Sequence, residues 1–86
     1  MIFEYDENKS KSNQLKHNID FEEAKLLWDD DNRIEIKASF EEEERFLTIG
    51  KIHNKFYTII TTYRNNKIRI ISARRSREKE IEIYES

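Results

Sequence analysis

Residues 55–73 read KFYTIITTYRNNKIRIISA. Every position from Phe56 to Tyr63 is β-branched or aromatic, which suits a pleated, half-buried strand. In the second half, Ile68 and Ile70 fall on one face and Lys67, Arg69 and Ile71 on the other. Between them stands Asn65–Asn66, and Asn tolerates the positive φ that a type I′ hairpin needs at both central positions. The stretch therefore predicts a β-hairpin with one charged face. Working outward, His53–Asn54 is a weaker turn signal of the same kind. It joins the hairpin to Arg45–Ile52, where Phe46, Leu47, Ile49 and Ile52 make a strand. Ile34 and Ile36, alternating with charges, offer one more. The expectation is an antiparallel meander of three to four strands.

The N-terminal third reads differently. Ile2–Tyr5 suits a short first strand. Asp6 can cap a helix running to His17, and Lys9, Asn13, Lys16 and His17 then share one helical face. Asn18 tolerates the left-handed conformation that ends a helix. Asp20 and Glu23 have capping-box spacing and open a second helix. Its apolar stripe, Phe21, Ala24, Leu27 and Trp28, faces the core, and Asp29–Asp30–Asp31 marks its end. The tail after Ser76 alternates as EIEIY. Ile81 and Tyr84 are nevertheless three apart, and a terminal helix is favoured. Two N-terminal helices, a sheet and a C-terminal helix make an α+β fold. With no Pro, one Gly and no linker, residues 1–86 read as a single domain. Its large apolar fillers are few: Phe3, Phe21, Trp28, Phe40, Phe46, Phe56 and Tyr57. A chain this small has a thin core, which a partner covering apolar surface would stabilise.

Charge is distributed unevenly. Residues 51–77 hold eight Lys and Arg and no acid, for a local charge of +8. Residues 1–50 carry −7 and residues 78–86 carry −3, so the net −2 conceals a basic segment. Such a face attracts polyanions, nucleic acid above all. The alternative is a solvated face balanced by its acidic flanks. Without cysteine there is no disulfide or thiolate nucleophile, and His17 with His53 alone makes a poor metal site. The Asp29–Asp31 run lacks the spacing and glycine of a calcium loop. No cofactor or metal is expected. No apolar run approaches the ~20 residues that span a bilayer, and MIFEYDENK does not resemble a signal peptide. A cytoplasmic location with no membrane association is expected.

Two runs carry a family resemblance. The first is Phe3, Tyr5, Asp6, Lys9, Asn13, Lys16 and His17, continued by Ile19, Phe21, Glu22, Glu23 and Ala24. The second is Glu44, Arg45 and Gly50, then Tyr63 and Arg64, then Arg69 to Arg75 (RIISARR), with Glu80 and Tyr84 behind. Together they resemble the BrnT toxins over nearly the whole chain. The resemblance implies a type II toxin–antitoxin toxin: a small ribonuclease of RelE-like fold that inhibits translation by cleaving RNA. It further implies a cognate ribbon-helix-helix antitoxin (BrnA-like) that neutralises it and alone contacts operator DNA. Asn18 stands where the family usually has Gly, and Asp30 or Asp31 where a Pro is common. The tail, with Glu78, Glu80, Glu82 and Glu85, is more acidic than the family pattern.

Metal-free RNA cleavage needs a base for the 2′-OH, cations for the charge on the phosphorane, and an acid for the leaving 5′-oxygen. Arginine suits the second role because its planar fork meets two phosphate oxygens and stays charged. Arg74 ranks first, then Arg64 and Arg45. Simple hairpin pairing separates Arg64, beside the turn, from Arg74 at the far end. Acid and base candidates are His17, Lys9, Glu80 and Tyr84. Each has a plainer use: His17 at a helix dipole, Lys9 in solvent, Glu80 orienting an arginine, Tyr84 in packing. Lys9, Lys67, Arg69 and Arg75 are candidate RNA contacts. The competing function is a noncatalytic RNA- or protein-binding module, or an inactive toxin homologue.

Overall fold

The computed structural model describes residues 1–38 and 43–86. Phe40, one of the expected core fillers, lies outside them. The elements run β1 (Phe3–Glu4), α1 (Glu7–His17), α2 (Phe21–Ala24), a 3-10 helix (Lys25–Asp29), β2 (Ile34–Ala38), β3 (Arg45–Ile52), β4 (Lys55–Arg64), β5 (Lys67–Arg75) and α3 (Glu78–Glu85). The fold is α+β, as expected. Its sheet differs from the expected meander: it has five strands in the order β1-β5-β4-β3-β2 and is mixed. Strands β2 to β5 form the antiparallel meander. The fifth strand is β1, the short first strand expected at Ile2–Tyr5, which joins the sheet by pairing parallel to β5 with Phe3 opposite Ile68. It does so because the meander leaves the outer edge of β5 open, and the Ile68 N–H donates to the Ile2 carbonyl there at 2.8 Å.

Both Asn turns have the expected geometry. Asn65 and Asn66 have φ of 52° and 64°, and His53 and Asn54 have φ of 50° and 66°. Asp6 caps α1, its Oδ1 accepting from the Asn8 and Lys9 amides, and Asn18 ends that helix at φ 58°. Asp20 caps α2 through the Glu23 amide at 2.8 Å.

The second helix does not continue as one α-helix. After Ala24 it tightens into the 3-10 form. Side chains three apart eclipse in a 3-10 helix, and Phe21, Ala24 and Leu27 are spaced in threes. All three are fully buried. Tightening keeps them on one line against the sheet. Trp28 packs at the side, edge-on to Phe3 at 5.0 Å.

The core lies between this helical layer and one face of the sheet, built from Ile19, Phe21, Ala24, Leu27, Ile52, Tyr57, Ile59, Ile70 and Ala73. Of the expected fillers, Phe21 and Tyr57 are buried, while Phe46 and Phe56 pair with Tyr63 and Tyr84. A register shift sits in the β4–β5 ladder. Ile60 pairs with Ser72 but Thr61 pairs with Ile70, so Ile71 has no partner. This bulge resets the alternation of β5. Ile68, Ile70 and Ala73 all face the core, and Arg69 and Arg74 share the opposite face.

Two side chains finish sheet edges where strands run out. Beyond β1, the open edge of β5 is met by Asn13 of α1. Its amide nitrogen donates to the Ala73 carbonyl at 2.8 Å, and its oxygen accepts from the Ala73 N–H at 3.2 Å. The same nitrogen also donates to the Ile19 carbonyl. Beyond β2, which stops pairing at Ile49, the open edge of β3 is met by Asp30. Its Oδ2 accepts from the Lys51 N–H and the Tyr84 hydroxyl, each at 2.8 Å. Gly50 makes room for it: a Cβ there would lie 3.1 Å from Asp30 Oδ2 and from Leu27. The glycine is needed for space, since its φ is not positive. Asp30 thus fastens β3 to α3.

Candidate functional site

Opposite the core, the sheet presents a second face. Strand alternation and the bulge put Arg45, Arg64, Lys67, Arg69 and Arg74 on it together. The face divides into two ends. Arg74 pairs in register with Thr58, and Arg64 with Lys67 beside the hairpin tip. At about 3.3 Å per residue, those two rungs of β4 lie about 20 Å apart. The structure therefore does not bring Arg64 to Arg74.

At the Arg74 end, α3 crosses the sheet and the side chains interlock. Both terminal nitrogens of Arg74 donate to Glu80, Nη1 to Oε1 and Nη2 to Oε2, each at 2.8 Å. Glu80 Oε1 also accepts from the Thr58 hydroxyl at 2.9 Å and from the Arg77 N–H at 2.8 Å. With its one proton given to Glu80, Thr58 accepts from Ser76 at 2.8 Å. Four donors thus converge on one carboxylate that is 9% exposed. The Arg74 bonds, followed by those from Arg77 and Thr58, outweigh burial and hold the Glu80 carboxyl down to about 2. Glu80 in turn raises the Arg74 guanidinium above its usual value. Glu80 is ionised at neutral pH, and its affinity for a proton is low. Its arrangement is that of an arginine holder.

One turn further along α3, Tyr84 lies edge-on to Phe56 at 5.3 Å and donates to Asp30. Burial and that bond raise its pKa. Lys51 stands over both rings, 5.1 Å from the Phe56 centroid and 5.9 Å from that of Tyr84. Lys9, Lys16 and His17 are exposed on α1, three or four residues from Asn13.

Several other cations meet acids from the flanks. Arg45 and Arg64 share Glu43, at 3.6 and 3.5 Å. Arg69 lies 3.8 Å from Glu4, and Lys37 3.1 Å from Glu44. These pairs are partly exposed and contribute little. Arg75, a candidate RNA contact, turns to the core face instead. It sits 5.6 Å from the Tyr57 ring and donates from Nε to the Phe56 carbonyl, an anchor on the helical side. Tyr57 is buried and serves packing. Among the described residues, no group of three or more His, Cys, Asp or Glu is placed to hold a metal ion, and no helix is long and apolar enough to cross a membrane.

Asn13, Asp30, Thr58 and Ser76 carry structural roles that sequence reading did not assign. Thr58 lies inside a uniform β-branched run and gives no local signal. Asn13 had one faint mark, as a short polar residue in mid-helix.

Residues 5–80 match a family model described as the ribonuclease toxin, BrnT, of type II toxin-antitoxin system. No curated protein matches the chain.

Proposed function

The chain belongs to the BrnT family of ribonuclease toxins of type II toxin–antitoxin systems, and on that premise we propose that it acts as a metal-independent endoribonuclease centred on Arg74. In this reading residues 1–86 work as one domain of RelE-like type. The protein cleaves RNA, inhibits translation, and is neutralised in the cytoplasm by a cognate ribbon-helix-helix antitoxin of the BrnA kind. The observation that carries the proposal is the buried Arg74–Glu80 fork. A surface arginine samples many rotamers, whereas this one is held by two bonds to Glu80, which the Thr58 hydroxyl and the Arg77 N–H fix in turn. Positioned charge of this kind stabilises a phosphorane without reorganising during reaction.

The other roles follow from placement. Glu80 positions Arg74; at a pKa of about 2 it is a poor proton acceptor. His17 and Lys9, exposed on α1, are assigned proton transfer and phosphate contact. Tyr84 already donates its proton to Asp30 and can release it to an RNA oxygen only by breaking that bond. Arg45, Arg64, Lys67 and Arg69 form a track along the sheet for the RNA backbone. The flanking acids would give way to phosphate there, because exposed pairs are weak.

Expression of the chain alone in a bacterium tests the assignment, alongside Arg74→Ala and Arg74→Lys. The lysine keeps the charge but loses the fork. Growth arrest with RNA cleavage for the parent, and neither for the two variants, is the expected result. Melting curves of the purified variants show whether they remain folded. Equal toxicity of parent and folded variants would remove Arg74 from the site. A second reading has one observation in its favour: Glu80 already fills the Arg74 fork. A noncatalytic binding module would bind RNA with steep salt dependence and release no product.

A further inference from the structure

On the core-facing side of the sheet, beyond the end of the helical layer, lies an open groove of about 700 Å³. Its walls include Trp28, Arg33, Glu35, Tyr63, Arg64 and the hairpin tip at Asn65. The volume lies within the range of small-ligand sites. Nothing in the cleavage chemistry uses this groove, which lies at the opposite end of the sheet from Arg74.

Tyr63 is its most informative residue. It is 50% exposed, yet its ring is fixed at both ends. The hydroxyl donates to Glu35 of β2 at 2.7 Å, and the ring meets Phe46 edge-on at 5.0 Å and 71°. Ordering a large aromatic side chain costs conformational entropy, and a half-exposed ring recovers only part of that by burial. A fixed, exposed π-face suits a second planar group stacked on it. Trp28 supplies another aromatic wall, braced by Phe3. Polar groups complete the lining. Glu35 can accept from an exocyclic amine, and the exposed Asn65 and Asn66 carry amides that both donate and accept. At the rim, Arg64 is 55% exposed and only loosely paired, and Lys67 beside it is exposed. Aromatic platforms bordered by cations are how proteins hold unpaired bases and their phosphates.

We propose that this groove is a nucleobase subsite for single-stranded RNA, with Tyr63 as the stacking platform and Arg64 and Lys67 gripping the adjoining phosphate. The ligand class rests on the ribonuclease reading; the groove itself rests on its own geometry. An RNA strand lying along the arginine track would pass over the hairpin tip and place one base in the groove. Arg64, remote from Arg74, then has a binding role at this end.

Trp28 is the only tryptophan in the chain, so its fluorescence reports on the groove directly. The probe is a short, unstructured 2′-O-methyl oligoribonucleotide, which cannot be cleaved through its 2′-oxygens. Its titration is expected to change Trp28 emission saturably. Tyr63→Ala should weaken binding about tenfold or more, and Tyr63→Phe, which keeps the ring, should stay within about threefold of the parent. Binding without a Trp28 response, no binding at all, or parent affinity in Tyr63→Ala would overturn the subsite. Cleavage of unmodified RNA is followed separately. A parent that cuts RNA while Trp28 stays silent keeps the ribonuclease reading and loses the subsite. A parent that binds through Tyr63 and never cuts keeps the subsite and loses the ribonuclease reading.

Discussion

Glu80 is the residue on which the proposed site turns, and its ionisation links the site to stability. Its carboxyl is held at about 2 in the folded chain, against an ordinary value of 4.5. A depressed carboxyl contributes stability that is complete above its unfolded pKa and is lost as pH falls through the folded one. The Glu80 contribution should therefore be full above about pH 5 and fade between about pH 4.5 and pH 2. Its size is about 3 kcal/mol, from 1.36 kcal/mol per pKa unit. Glu80→Gln should be less stable than the parent in urea at pH 7, and the gap should close towards pH 2. A gap that does not change with pH would mean that the bonds around Glu80 matter through packing, not charge. In the sequence, Glu80 is one of four glutamates in a short tail, and orienting an arginine, not specified which, was one of two uses open to it. Spacing alone cannot separate it from Glu78 or Glu82, because only the line of α3 across the sheet decides which carboxylate faces Thr58.

Helix α1 shows how an element can be legible in outline and hidden in purpose. Its start at Asp6 and its end at Asn18 follow from capping and left-handed tolerance, both local effects, and both are found in the structure. Its polar composition gives no apolar stripe and so no hint of how it docks. Docking is through Asn13, which substitutes for a missing strand on the β5 edge. An Asn13→Ala variant leaves a buried Ala73 N–H and two carbonyls without this partner. It should lose about 2–3 kcal/mol in urea unfolding with an unchanged m-value. A loss below about 0.5 kcal/mol would show that water replaces the amide at no cost. The second helix makes the complementary point. Its apolar stripe is readable, but the change from α to 3-10 after Ala24 is set by contact with the sheet. The hairpin stands at the other extreme: strand propensity and two asparagines with positive φ specify it locally, and its turn forms as read.

Across the whole molecule, basic and acidic segments that are separate in sequence are interleaved in space. Acids at Glu4, Glu43 and Glu80 reach arginines of the sheet face, and only the Glu80 pair is well buried. A polyanion laid along this face should displace the exposed acids one by one. If three or four phosphates are held, the logarithm of RNA affinity should fall with the logarithm of salt at a slope of about −2 to −3. A slope near zero, measured by titration across a salt series, would remove the track. The sequence by itself determined the α+β class, the antiparallel hairpins, the limits of α1 and the basic segment, because each depends on neighbours within a few residues. Tertiary structure alone decided where the key charge points. Strict alternation from Ile68 and Ile70 would send Arg74 to the core face. The unpaired Ile71 shifts the register, so Ala73 enters the core and Arg74 emerges beside Glu80. A bulge depends on which residues the neighbouring strand offers as partners, and that pairing exists only once the sheet has formed.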